Sequence, residues 1–125
     1  MAIKKKKKWS WVEVASKLGH APVWTCAACL GQMSMTPETA EKAALLFELT
    51  EDEADLLAQA PYRGCLPTAV PTDPLIYRFY ELIQVYGTTW KEMIHEEFGD
   101  GIMSAIDFDM TLERQPDQKG DRVRM

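Results

Sequence analysis

Apolar residues in the first half of the chain recur at the spacing of an α-helix, and capping residues stand at the start of three of the four runs. Ser10 and Glu13 form a capping box that predicts a helix over residues 11–18, and Gly19 supplies its stop. The run VWTCAACL, followed by Gly31, predicts a second short helix. Short links between capped runs indicate a small helical bundle.

Two further helices complete the predicted bundle. Thr36, with Pro37 at the first helical position, predicts a helix to about residue 47. Thr50 and Glu53 form another capping box, which predicts a helix to about residue 59. The proline-rich run APYRGCLPTAVPTDP that follows is typical of an extended linker.

The second half begins helical and then changes period. Thr72 or Asp73 as N-cap, with Pro74 behind it, predicts a helix that ends at Gly87, and TTWKEMIHEEFG predicts a separate helix after it. Apolar and polar residues then alternate, which predicts a strand over residues 102–112 with one apolar face. QPDQKGD reads as a turn, and RVRM as the beginning of a returning strand.

These elements predict an α+β fold with an N-terminal helical bundle and a small helix-plus-strand domain. We place the bundle at residues 1–60, the linker at 61–73 and the C-terminal domain at 74–125. With 125 residues and 46% hydrophobic composition, the chain can bury a real core. No apolar run is long enough to span a bilayer, and no secretory signal is present. Three cysteines, an odd number, favour free thiols in a reducing, cytoplasmic setting.

Charge is unevenly distributed along the chain. The run Lys4–Lys8 supplies five of the 14 basic residues, which leaves 9 basic against 19 acidic residues elsewhere, a balance of −10. The body of the protein should therefore repel polyanions. We interpret the lysine run as a solvated, frayed end rather than a nucleic-acid arm.

Two short motifs suggest other functions. The run SWVEVASKLGHAPVWTCAACLG has helix-turn-helix spacing, but no basic residue lies between Lys17 and Lys42 to reach bases or phosphates, so we interpret it as a packing module. Cys26 and Cys29 form a C-x-x-C pair on a predicted helix. A zinc site needs four ligands, and the remaining candidates are scattered (Cys65, His20 and His95), so we expect buried small thiols and no metal.

The run YRFYELIQVYG carries the strongest functional signal. A helix here is apolar almost all round, and other subunits are its expected cover. Arg78, Glu81 and Gln84 form a narrow polar line on it at a spacing of three. One interpretation is an ion pair that fixes the register of an interface. The other is a cationic pocket for a small anion, with a carboxylate that manages protons.

A longer segment resembles a known enzyme family. PTDPLIYRFYELIQVYGTTWKEMIHEEFGDGIMSAIDF is similar to the C-terminal region of the cyanases, also called cyanate hydratases or cyanate lyases. YRGCLPTAVPTDP and ACLGQMSMTPETAEKAA also resemble this family, and the similarity runs from about Trp9 to Val123. The family's active site uses an arginine and a glutamate one helical turn apart and a serine after the FGDGI turn. The matching residues are Arg78, Glu81 and Ser104.

The resemblance implies a lyase that decomposes cyanate with bicarbonate as co-substrate, giving carbamate and carbon dioxide; carbamate then yields ammonia and carbon dioxide. It assigns Arg78 to holding the two anions, Ser104 to a hydrogen bond on an anion, and Glu81 to orienting the arginine or shuttling a proton. It implies neither a metal nor an organic cofactor. It also implies a repressor-like bundle that does not bind DNA, and a homodecamer of dimers with active sites between subunits.

Cyanases usually have a further helical stretch before the position of Trp9 and a tail resembling GKFLP after GDRV, so we expect this chain to be shortened at both ends. Two other functions remain open at this point. One is a non-catalytic helix-turn-helix regulator that binds DNA. The other is a structural oligomer in which Arg78 and Glu81 only set the register.

Overall fold

The computed structural model describes every residue except Tyr62 and Cys65, so the role considered for Cys65 lies outside the described residues. The chain divides into two compact units. The first unit comprises Met1–Gly64 and Asp109–Met125, and the second comprises Cys65–Phe108.

The first unit contains a helical bundle and a hairpin. Its elements are α1 (Ala2–Lys6), α2 (Trp11–Leu18), α3 (Pro22–Cys29), α4 (Pro37–Phe47), α5 (Glu51–Ala58), β1 (Glu113–Gln115) and β2 (Arg122–Arg124). The capping boxes that predicted α2 and α5 are both present. Thr36 caps α4 by accepting a hydrogen bond from the backbone N–H of Thr39. The four predicted helices of the bundle are therefore confirmed.

Small side chains build the core of the bundle. Its buried members come from three helices and from the link before α4: Val14, Leu18, Ala28, Met35, Ala40 and Ala43. Alanines at these positions let helices approach closely. Thr25 of α3 is also fully buried, and its hydroxyl has no hydrogen-bond partner among the described residues.

Lys4, Lys5 and Lys6 belong to α1, so the prediction of a frayed end is wrong, although residues 5–8 are exposed to solvent as predicted. The Lys4 ammonium lies 5.0 Å from the ring centre of Trp11, and Lys7 lies 5.0 Å from that of Trp9. Lys7 also pairs with Glu48 at 3.4 Å. Cation–π contacts of this kind hold a lysine stem against the bundle, which a solvated tail does not do.

The second unit is dominated by a single helix, α6 (Pro74–Phe98). The Asp73 carboxylate caps it by accepting the backbone N–H groups of Leu75 and Ile76, both at 2.9 Å. The prediction of two helices separated at Gly87 is wrong, because the helix continues through this glycine and ends at Gly99. No residue of α6 is buried within the single chain. None of the helices in the described residues has the length and hydropathy needed to cross a membrane.

The predicted long strand is also wrong. Residues 102–112 form neither strand nor helix, and pairing is confined to β1 and β2. These two strands are antiparallel, with Glu113 opposite Arg124 and Gln115 opposite Arg122. The hairpin predicted from QPDQKGD and RVRM is confirmed, but β2 has three residues and cannot pair with the residues before β1.

Candidate active site

Arg78 and Glu81 form an ion pair on the first half of α6. A spacing of three places their side chains on neighbouring turns of one face. The Arg78 guanidinium donates from Nη1 to Oε2 of Glu81 at 2.5 Å. This hydrogen bond and the adjacent negative charge raise the pKa of Arg78 above its ordinary value. The arginine therefore carries a permanent positive charge, held in place by the carboxylate.

The ion pair remains accessible in the single chain. The side chains of Arg78 and Glu81 are 67% and 42% exposed. Arg78 makes no other side-chain hydrogen bond within the described part of the chain. Most of its N–H donors are thus available, and the planar fork of a guanidinium matches the oxygens of a carboxylate-like anion. An exposed pair of this kind contributes little to the stability of the single chain.

Ser104 stands after the FGDGI turn, in the irregular segment that follows α6. Its Oγ accepts the backbone N–H of Ile106 at 3.2 Å and that of Asp107 at 2.9 Å. A hydroxyl has lone pairs for two such bonds and one proton to donate. With the lone pairs engaged, Ser104 is set up to donate its O–H to an external acceptor such as an anion.

The structure thus joins two of the three predicted site residues directly. Ser104 makes no hydrogen bond to Arg78 or Glu81 among the described residues, although all three belong to the same compact unit. The turn around Ser104 was missed because the sequence there was interpreted as a strand. The spacing of Ser104 and Asp107 is the S-x-x-D pattern of a local cap, and this signal could have identified the turn.

The DNA-binding alternative finds no support in α3, the second helix of the helix-turn-helix-like pair. Its sequence is PVWTCAAC, which contains no arginine, lysine, asparagine or glutamine. Thr25, its one hydroxyl residue, is fully buried. A recognition helix needs such side chains on its exposed face to contact base edges. The helix pair packs the bundle instead.

Fold and site together define an α+β protein with a helical N-terminal bundle and an arginine–glutamate pair on a long C-terminal helix. A family model described as "Cyanate hydratase, N-terminal" matches residues 1–61, and one described as "Cyanate lyase C-terminal domain" matches residues 68–125. The chain belongs to the cyanate lyase family, as its sequence resemblance implied.

Similar proteins span most of the chain. A protein named cyanate hydratase from Polynucleobacter asymbioticus is 60% identical over 92% of this chain and 78% of its own length. Another of that name from Ralstonia pickettii is 59% identical over 96% of this chain and 82% of its own length. The crystal structure of cyanase from T. urticae superposes with a TM-score of 0.79 at 33% identity, covering 98% of this chain and 87% of that one. Members of this family are lyases, so the chain is an enzyme by descent.

Proposed function

We propose that this chain is a cyanate hydratase that decomposes cyanate in a bicarbonate-dependent reaction. The observation that carries the proposal is the Arg78–Glu81 pair, which stands accessible on α6 in a chain similar to proteins named cyanate hydratase. Arg78, Glu81 and Ser104 are its proposed catalytic residues. In this proposal bicarbonate acts as the second substrate, and neither a metal nor an organic cofactor takes part.

Arg78 brings the two substrates together. Cyanate and bicarbonate are both anions and repel each other in water. A guanidinium stripped of water can hold both at once and align an oxygen of bicarbonate with the carbon of cyanate. The Arg78–Glu81 bond fixes the direction of the fork before substrate arrives.

Proton supply is the second requirement of the chemistry. The bicarbonate oxygen attacks the cyanate carbon and gives a dianionic intermediate, which takes up one proton and splits into carbamate and carbon dioxide. Carbamate then takes up a further proton and falls apart to ammonia and carbon dioxide. Glu81 lies beside the anion-holding group and can pass a proton to the nitrogen.

Ser104 stabilises the negative charge that develops on the intermediate. Its lone pairs already accept the N–H groups of Ile106 and Asp107, so its proton is free to be donated. A preorganised donor of this kind lowers the barrier because it does not have to reorient during the reaction.

The active enzyme is proposed to be a cytoplasmic homo-oligomer, a decamer built from dimers, with active sites between subunits. The support is the surface of α6, where large apolar side chains remain exposed in the single chain: Leu75, Ile83, Val85, Tyr86, Met93 and Phe98. Apolar patches of this extent mark an interface. A second subunit would remove water from the Arg78–Glu81 pair and complete a closed site.

Ammonia release tests the proposal. The parent chain, Arg78→Lys and Arg122→Lys are each incubated with cyanate and bicarbonate, and ammonia is measured over time. Lysine keeps the charge but loses the bidentate fork, so the rate of ammonia release by Arg78→Lys should be at least roughly 100-fold below that of the parent. Arg122→Lys makes the same exchange in the β1–β2 hairpin and should retain the parent rate. Equal rates for Arg78→Lys and the parent would refute the site, and no ammonia from the parent would refute the function.

A further inference from the structure

Gln32, in the loop between α3 and α4, is hydrogen-bonded to the proline-rich run that follows α5. Its backbone carbonyl accepts a hydrogen bond from Nε of Arg63 at 3.1 Å, and its side-chain Oε1 accepts the backbone N–H of Gly64 at 3.0 Å. One glutamine therefore holds two consecutive residues that lie 31 and 32 positions further along the chain. The contact falls within the first compact unit, and the proposed cyanate chemistry does not use it.

The loop that carries Gln32 is itself attached to the end of α5. The Ser34 hydroxyl donates to the carbonyl of Ala58 at 2.8 Å, and the backbone N–H of Met35 donates to that of Leu57 at 2.9 Å. Met35 is also buried in the core of the bundle. Gln32 is thus presented from a fixed frame, and its own two bonds can form or break while this frame stays in place.

The two residues that Gln32 holds suit this contact by their chemistry. Arg63 is the only charged residue between Asp55 and Asp73, so a single long donor side chain is available in the run. Gly64 has a φ of +79°, and a Cβ added to it would meet nothing within 4 Å. Glycine is therefore needed here for its backbone conformation and not for lack of space.

We propose that Gln32, Arg63 and Gly64 form a releasable clasp that sets where the chain leaves the bundle on its way to α6. When the clasp is closed, the point of departure moves from the end of α5 to Gly64, so residues 65–73 rather than 59–73 connect it to α6. Effective concentration falls with about the −3/2 power of the length of a connection, so closing the clasp should raise that of the α6 unit near its own bundle roughly twofold.

The clasp should open far more often than the bundle unfolds. Arg63 and Gly64 are exposed to solvent, so water competes for both hydrogen bonds. Each bond then contributes only modestly, and two together should favour the closed over the open state roughly 10- to 100-fold. The open state is therefore populated while the core of the bundle stays intact.

Trypsin cleavage after Arg63 tests the clasp, because it tracks the population of the open state when opening is fast relative to cleavage. The full chain is digested, and each rate is divided by that of a peptide of residues 58–68 with the same sequence. Gln32→Leu removes Oε1, so cleavage should be roughly 5-fold faster or more. Gln118→Leu makes the same exchange in the turn of the β1–β2 hairpin and should retain the parent rate. Equal rates for Gln32→Leu and the parent would overturn the proposal.

Gly64→Ala opens the clasp from its other partner and leaves the bundle unchanged. The left-handed backbone is disfavoured for alanine, so cleavage after Arg63 should be roughly 10-fold faster than in the parent, and an unchanged rate would contradict the clasp. Cleavage after Lys42, inside α4, reports unfolding of the bundle and should stay at the parent rate in both variants. If cleavage at Lys42 rises as much as at Arg63 in both variants, Arg63 is released only by unfolding, and the proposal fails.

Discussion

Arg78 and Glu81 are joined by a 2.5 Å hydrogen bond between Nη1 and Oε2, one turn apart on α6. The carboxylate fixes the direction of the guanidinium, and most of the guanidinium donors remain available. In the proposed enzyme this pair combines the two needs of the reaction, an anion holder and a proton carrier, on neighbouring turns of one rigid element.

Glu81→Gln separates these two roles. The glutamine oxygen can still accept from Arg78, so the orientation of the guanidinium should survive while the transferable proton is lost. We expect kcat to fall roughly 100-fold with KM changed little, because general acid–base catalysis contributes on that order. Steady-state ammonia release, measured over a range of pH, gives kcat and KM for Glu81→Gln and for the parent. If Glu81→Gln has the kcat and the pH profile of the parent, Glu81 does not carry a proton and only orients Arg78.

Ser104→Ala removes the proposed hydrogen-bond donor and the acceptor for two backbone N–H groups. Activity should fall roughly 100-fold, as when a single charge-stabilising donor is lost. Ser104→Thr keeps the hydroxyl and should retain most of the activity, which makes it the matched control. If the alanine and threonine variants are equally active, the hydroxyl does not act on substrate.

The apolar surface of α6 should be required for assembly. Ile83 is 59% exposed and Leu45 of α4 is 84% exposed within the single chain, so both can be changed without opening the core. Ile83→Glu should give smaller species and lower activity, because it places a charge in the proposed interface. Leu45→Glu should assemble as the parent does. Analytical ultracentrifugation measures the size of the assembly formed by each variant, and activity is assayed on the same samples. If Ile83→Glu and Leu45→Glu form assemblies of the same size, α6 is not the interface.

Thr25 offers a test of the bundle core. Its side chain is fully buried with no hydrogen-bond partner among the described residues. Valine has nearly the same shape and no hydroxyl to desolvate. Thr25→Val should therefore raise the free energy of unfolding by about 1–2 kcal/mol, the typical cost of an unsatisfied buried polar group. Urea denaturation measures it, and a destabilised variant would mean that the hydroxyl is bonded in solution.

The cap of α2 should make the bundle sensitive to acid. The backbone and side-chain hydrogen bonds with Ser10 lower the pKa of Glu13 in the folded chain below its ordinary value. A lowered folded-state pKa stabilises the fold at pH values above the unfolded pKa, and this contribution is lost as pH falls through the folded value. Ser10→Ala should be less stable than the parent at pH 7, and the gap should narrow toward pH 3. Denaturation at both pH values checks this, and a constant gap would contradict it.

The helices of the first unit were predictable because their signals are local. Ser10 with Glu13, and Thr50 with Glu53, define their helix starts through bonds within a single turn. The predicted helix end at Gly87 was wrong because glycine destabilises a helix by only about 1 kcal/mol relative to alanine and does not end it by itself. Because α6 continues past Gly87, the run TTWKEMIHEEFG does not begin a separate helix.

The alternation of apolar and polar residues could not show whether residues 102–112 form a strand. Alternation indicates which face a strand would bury, but a strand also needs a partner to accept its backbone hydrogen bonds. Within the chain that partner is β2, which is long enough to pair only with β1. The identity of Arg78, Glu81 and Ser104 as site residues came from family resemblance, since spacing alone left a register pair open.

The dependence of ammonia release on bicarbonate tests the proposed reaction most directly. The purified chain is given cyanate in buffer freed of carbonate, and bicarbonate is then restored at increasing concentration. Ammonia should be formed only after bicarbonate is added, with a rate that saturates as Arg78 becomes occupied by both anions. Equal ammonia release in carbonate-free buffer would contradict the two-substrate mechanism on which the roles of Arg78, Glu81 and Ser104 depend.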